Sequence, residues 1–318
     1  MSKIVRPPYD PELKAALDLR PTSPPLSNDI LPMARTIPIA PPIDTVLAGR
    51  PLEYTDYTVS GHGGADILVS IIRRTDHTRT DGAAVYLIHG GGMILGDRWV
   101  GAEALANWVE HYDVVGATVE YRLAPEFPDP VPVEDCYAGL SWFAGKGEEF
   151  GFDPERILIT GGSAGGGLAA GTALLARDRK SPSLVAQVLD CPMLDDRDAT
   201  LSTRQFSGIG VWDRETNVFG WSSLLGERAN TEDVSIYAAP ARATDLSGLP
   251  PTYLDVGSAE VFRDETIAYA SKIWEAGGRA ELHVFAGGFH GYEVVTTAAV
   301  SRTTLEVREA WVRRYLAD

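Results

Sequence analysis

The stretch Ile157-Leu-Ile-Thr-Gly161-Gly162-Ser163-Ala164-Gly165-Gly166-Gly167 limits what this chain can fold into more than any other. It joins an apolar run, short enough to be a buried strand, to an alanine-rich run over residues 164–178 that reads as a helix. Between them stands G-x-S-x-G. A strand passes straight into a helix there only on a sharp, strained turn, and small residues let the two elements approach closely. Such a turn lifts the Ser163 hydroxyl off the carboxyl edge of a sheet. It also sets a helix N-terminus beneath it, where backbone dipoles favour negative charge. The competing reading is a glycine-rich turn cradling a phosphate, but no Gly-Lys-Ser or Gly-Lys-Thr follows and no G-x-G-x-x-G opens the helix.

The remaining pattern supplies a sheet for that turn to stand on. Strand-like runs fall at residues 54–60, 67–73, 84–88, 114–121, 157–160, 186–191, 252–256 and 280–285. The first two alternate polar and apolar residues, as half-exposed antiparallel strands do. The later ones are short continuous apolar runs, as strands buried on both faces are. Helix-like segments at 100–111, 133–150, 164–178, 264–276 and 301–316 separate the later strands. This alternation predicts parallel βαβ units in a doubly wound α/β sheet. Two regions break the rhythm. Residues 1–50 are proline-rich, with helix-like stretches at 11–19 and 28–35, and read as an N-terminal cap segment on a catalytic domain of residues 51–318. Residues 195–239 carry Phe206, Trp212, Phe219, Trp221 and Leu224 without a strand pattern and read as a helical cap insertion, since loops so long and aromatic are uncommon.

Three further groups carry chemistry. His89-Gly90-Gly91-Gly92 follows the strand-like run 84–88. Three glycines in a row cost backbone entropy and make sense where N–H groups must face a ligand at close range. An oxyanion hole is such a place. The expected donors are the amides of Gly91, Gly92 and Ala164, with Gly90 as a substitute; His89 reads as structural. The second group is Gly287-Gly288-Phe289-His290-Gly291, after the last strand-like run. Of six histidines, His290 alone lies beyond Ser163 in a loop able to reach over the sheet edge: His283 sits inside a strand, His62 and His77 in polar turns, and His111 at a helix end. The order Ser, Asp or Glu, His then places the acid between them, after a strand end. Glu260, about thirty residues before the histidine, is the expected acid. Asp264 is its rival but reads as the first turn of the next helix, where an acid complements the dipole. Asp255 reads as pointing into its strand.

The formal net charge of −16 argues against nucleic acid and anionic membrane surfaces as partners. No apolar run approaches the ~18 residues needed to span a bilayer. The polar, proline-broken start has no apolar signal region, so a cytoplasmic location is expected. Cys136 and Cys191 lie among apolar neighbours without CxxC or metal-ligand spacing, and read as buried free thiols. No metal or organic cofactor is expected, because neither H-E-x-x-H nor a dinucleotide fingerprint occurs in a suitable context. A small-molecule substrate is the expected partner; a homodimer stays open.

Together these residues resemble the hormone-sensitive-lipase-like group of α/β-hydrolases, which includes many bacterial carboxylesterases. His89-Gly-Gly-Gly-Met-Ile-Leu-Gly-Asp97 resembles that group's oxyanion loop, and Gly161–Gly165 its elbow. Tyr121-Arg-Leu-Ala-Pro-Glu126, Phe127-Pro-Asp-Pro and Glu134-Asp135 match its segment between two strands. Glu260 to Asp264 and His290-Gly291 match its acid and histidine loops. The resemblance implies an α/β-hydrolase fold, with a mostly parallel eight-stranded sheet flanked by helices and a helical cap. It further implies serine-dependent hydrolysis of short- to medium-chain acyl esters. Met93, Leu95, Phe206 and Trp212 are the candidate substrate contacts. Tyr121, Arg122, Glu126 and Asp135 read as structural. Lactone, carbamate or amide hydrolysis, or acyl transfer, stays open on the same site. A receptor-like binding role is disfavoured because Ser163 and His290 are both present. The sequence departs from the group at three points: Glu260 stands where Asp is usual, Gly162 where Asp or Thr is usual, and Gly167 where Asn is usual. The two glycines carry the expectation of a looser elbow.

Overall fold

The computed structural model describes residues 4–20 and 24–317; residues 1–3 and 21–23 of the expected cap segment lie outside the described residues. Eight strands form one sheet in the order β1-β2-β4-β3-β5-β6-β7-β8. They are β1 (Leu52–Ser60), β2 (Asp66–Arg74), β3 (Gly82–Ile88), β4 (Val115–Glu120), β5 (Phe152–Gly162), β6 (Ala186–Asp190), β7 (Thr252–Gly257) and β8 (Ala280–Phe285). β2 runs antiparallel to both β1 and β4, and all later pairings are parallel. Each strand corresponds to one of the runs read from the sequence.

The period of two along the central strands sorts side chains into two layers. In β3, Ala84, Tyr86 and Ile88 join one core with α5 (Val131–Ala144), α7 (Ala164–Arg179) and α10 (Arg263–Glu275). Ala83, Val85 and Leu87 face the other way, into a second core with α3 (Ile43–Leu47), α4 (Ala102–Tyr112) and α11 (Ala299–Leu316). Burying each large aliphatic side chain in these layers contributes about 1.5–3 kcal/mol.

Three readings need correction. β8 is not buried on both faces: it closes the sheet as an edge strand, and its residues are half-buried or exposed. β2 is not half-exposed, because it lies between β1 and β4 and most of its residues are buried. The segment 133–150 is two helices. α5 ends before Gly145, and α6 (Gly147–Phe150) follows, with Gly147 packed against the Phe152 carbonyl and Pro154.

The early segment holds α1 (Pro11–Asp18), α2 (Leu31–Ala34) and α3, the last unforeseen in sequence. Asp10 caps α1 by accepting from the amides of Glu12 and Leu13. Leu13, fully buried, packs with Phe289, Tyr292 and Ala298. The insertion holds α8 (Leu201–Gln205) and α9 (Arg214–Leu225), whose buried aromatics Phe206, Trp212 and Trp221 extend the first core. No helix among the described residues is long and apolar enough to cross a membrane.

Candidate active site

In a parallel sheet the carboxyl ends of the strands line one edge, and a crevice opens where successive connections leave in opposite directions. Here β3 lies between β4 and β5, so the loops after β3 and β5 flank that crevice. Register puts Ile88 opposite Gly161, Gly162 opposite Asp190, and Gly257 opposite Phe285. The loops carrying His89–Gly92, Ser163, Glu260 and His290 therefore leave from one rim.

Ser163 occupies the joint between β5 and α7 with φ 58° and ψ −125°. A non-glycine residue rarely adopts this conformation, and it persists only where the surroundings enforce it. Its amide donates to the Asp190 carbonyl at 2.8 Å, and its carbonyl accepts from Met193 N at 2.9 Å. Close packing fixes the helix behind it. A Cβ on Gly167 would overlap the Met193 carbonyl, and one on Gly166 would press on Pro192. The expectation of a looser elbow is thereby overturned for Gly167, where main chain fills the place of the missing side chain. At Gly162 a Cβ would stand 3.6 Å from Asp190 Oδ2, in ordinary contact.

Three side chains far apart in sequence meet above this turn. His290 Nε2 lies 3.0 Å from Ser163 Oγ, and His290 Nδ1 lies 2.9 Å from Glu260 Oε2. Glu260 is buried; desolvation raises its pKa above the usual carboxylate value, and the hydrogen bond from His290 opposes the rise. The Phe262 ring packs T-shaped with the imidazole, 5.2 Å between centroids, a contact the sequence did not single out. The rivals of Glu260 are engaged elsewhere. Asp264 stands in the first turn of α10, as expected, and accepts from Ser202 N at 2.8 Å and Arg263 Nε at 2.7 Å. Asp255 is held by Arg308 through two bonds of 2.9 Å.

Gly91 and Gly92 have φ of 117° and 63°. A Cβ on Gly91 would collide with the Leu95 carbonyl and one on Gly92 with the Trp212 ring, so only glycine fits. Among the described residues, no main-chain acceptor takes the N–H of Gly91, Gly92 or Ala164. His89 is structural, as expected: it is fully buried, stacks on Tyr121 at 4.1 Å, and its Nδ1 lies 2.8 Å from Gly90 O. Burial lowers its pKa to about 4, which keeps it neutral. Arg122 clamps the buried Asp135, at 2.8 Å from both Nε and Nη2. Of the candidate substrate contacts, Trp212 faces His290 at 6.4 Å between centroids. Phe206 instead turns to Tyr9, Met93 is wholly buried in the first core, and Leu95 is half-buried. His77 closes a polar turn, as expected, its amide donating to the Arg74 carbonyl at 3.2 Å, while its ring bridges Asp113 and the Gly151 carbonyl.

Residues 85–294 match a family model described as alpha/beta hydrolase fold. This chain belongs to that family, in its hormone-sensitive-lipase-like group. Carboxylesterase NlhH of Mycobacterium tuberculosis is 30% identical over 306 residues, covering 94% of each chain. Esterase LipI of Mycobacterium tuberculosis is 31% identical over 228 residues, covering 71% of each. Among solved structures, a bacterial heroin esterase superimposes with a TM-score of 0.88 at 39% identity, covering 98% of both chains.

Proposed function

We propose that this α/β-hydrolase cleaves short- to medium-chain carboxylic esters through an acyl-enzyme on Ser163. The carboxylesterase class follows from the relatives, which are named esterase or carboxylesterase across most of the chain. The mechanism rests on one observation, the continuous path from Ser163 Oγ through the imidazole to Glu260 Oε2, with steps of 3.0 and 2.9 Å. Glu260 fixes the proton on Nδ1, leaving Nε2 to take the Ser163 proton as Oγ attacks the carbonyl carbon. The oxygen that becomes negative sits against the amides of Gly91, Gly92 and Ala164. The imidazolium then protonates the leaving alcohol. Water, deprotonated by the same imidazole, releases the acid and restores the serine. Trp212, seated on Gly92 and facing His290, is the wall that limits acyl length.

Residues 1–50 and 195–239 serve as the cap in this reading. Support comes from Trp212 in the second region, and from Tyr9, which packs edge-on against Phe289 beside the histidine. The two unpaired, buried thiols support a reducing, cytoplasmic setting, and the half-exposed edge strand β8 supports a homodimer. A fluorophosphonate should label Ser163, and p-nitrophenyl esters of increasing acyl length should turn over, beside lactones and anilides as rivals. Esters of every length left intact while an anilide is cleaved would sink the bond assignment.

A further inference from the structure

We propose that Cys191, Glu260 and His290 form an inhibitory site for a thiophilic divalent cation, of which Zn2+ is the model ion. One donor atom from each, a thiol sulfur, a carboxylate oxygen and a ring nitrogen, lies within 4.8 Å of the others. Sulfur, oxygen and nitrogen are the donors Zn2+ prefers, at about 2.0–2.3 Å from the ion. Donors of a tetrahedral ion at those lengths stand roughly 3.3–3.8 Å apart, so small side-chain shifts complete the site. A second observation points to a ligand. Glu260 Oε2 is occupied by His290 and by the amide of Phe262, but the buried Oε1 has no hydrogen-bond partner. A buried carboxylate oxygen left unpaired is costly, and a cation would satisfy it. Cys191 follows β6 directly, with its amide held 2.7 Å from the Asp255 carbonyl, and hydrolysis makes no use of its thiol.

The effect on turnover rests on the reading of His290 as general base. His290 Nδ1 faces Glu260, so a cation between them takes the Nδ1 lone pair. The Nδ1 proton moves to Nε2, and the thiol proton is lost to solvent. With Nε2 protonated, the ring no longer accepts the Ser163 proton. The ion is therefore an inhibitor, not a cofactor.

Two arms test this. In the first, hydrolysis of a p-nitrophenyl ester is titrated with ZnCl2 in the unmodified enzyme and in Cys191→Ala and Cys191→Ser, with MgCl2 as the hard-ion control. The expected result is inhibition by Zn2+ alone, reversed by EDTA. Both variants should turn over ester without metal and need on the order of 10- to 100-fold more Zn2+ for half-inhibition. In the second arm, Co2+ is added to Ser163→Ala protein, which needs no catalysis, and the thiolate-to-cobalt charge-transfer absorption is read. Its appearance supports the site. Variants inhibited at the same Zn2+ concentration as the unmodified enzyme, or cobalt without a thiolate band, would overturn it. Should no ester be cleaved at all, the hydrolase reading fails while the cobalt spectrum still decides the metal site.

Discussion

The imidazole of His290 has one nitrogen committed to a buried carboxylate and the other to a hydroxyl, and this division of labour makes each partner separately testable. Removing Glu260 takes away both the tautomer lock and the counter-charge for the imidazolium. Glu260→Ala should lower kcat by about ten-thousand-fold, the scale seen when a triad acid is disabled. Asp264→Ala should keep kcat within an order of magnitude while lowering Tm, because its carboxylate binds Ser202 N and Arg263 rather than the histidine. Steady-state kinetics and thermal melts on the pair would check both. Ser163 and His290 are the parts of this site the sequence exposed best, because each sits in a motif of its own. Cys191 was harder to read: it stands far from both Glu260 and His290 along the chain, and the spacing rules that reveal metal ligands operate only within short segments.

At the scale of elements, the crevice depends on what holds its loops. Arg35, just after α2, donates from Nε to the Ile94 carbonyl at 2.9 Å and from Nη2 to the Ala124 carbonyl at 2.7 Å, and grips both oxygens of Glu126. The early segment is thus tied to the loop bearing Gly91 and Gly92. Losing one oxyanion donor outright costs about 10²–10³ in kcat, so loosening the loop that carries the two proposed donors Gly91 and Gly92 should cost about tenfold or more. Arg35→Ala should show this in kcat with the fold intact, as read by circular dichroism. Gly167→Ala belongs to the same scale. Forcing a methyl against the Met193 carbonyl should destabilise by about 1–3 kcal/mol, as overpacking does, measured by urea denaturation. Strand and helix identities were legible because the hydrophobic period is local. The break between α5 and α6 and the exposure of β8 were not, since both follow from which element lies alongside.

Across the whole molecule, one buried cation ties two neighbouring strands of the sheet to the last helix. Arg308 in α11 binds Asp255 in β7 and stands 2.9 Å from Asp190 at the end of β6, whose carbonyl accepts from Ser163 N. Burial pushes the Asp190 carboxyl well above its usual range, and Arg308 opposes that shift. Breaking a buried ion cluster from one side leaves uncompensated charge, so Arg308→Ala should cost about 3–5 kcal/mol in a urea unfolding experiment. The N-terminal helix acts over a similar reach. Asp10 N bonds to the Gly287 carbonyl, Ala299 N bonds to Glu12, and Leu13 fills the pocket under Phe289 and Tyr292. Deleting residues 1–20 should therefore raise hydrogen exchange across 287–298 and lower kcat together.

The sequence by itself determined the strands, the sharp turn at Ser163, the glycine loop and the chain order of serine, acid and histidine. All of these are set by nearest neighbours: hydrophobic period, backbone freedom and turn chemistry. Only the tertiary structure decided that Gly167 tightens the elbow instead of loosening it, that Arg35 braces the glycine loop, and that a thiol lies beside the imidazole. Each of these depends on distances between residues that the chain brings together only when the sheet has closed and its rim is packed.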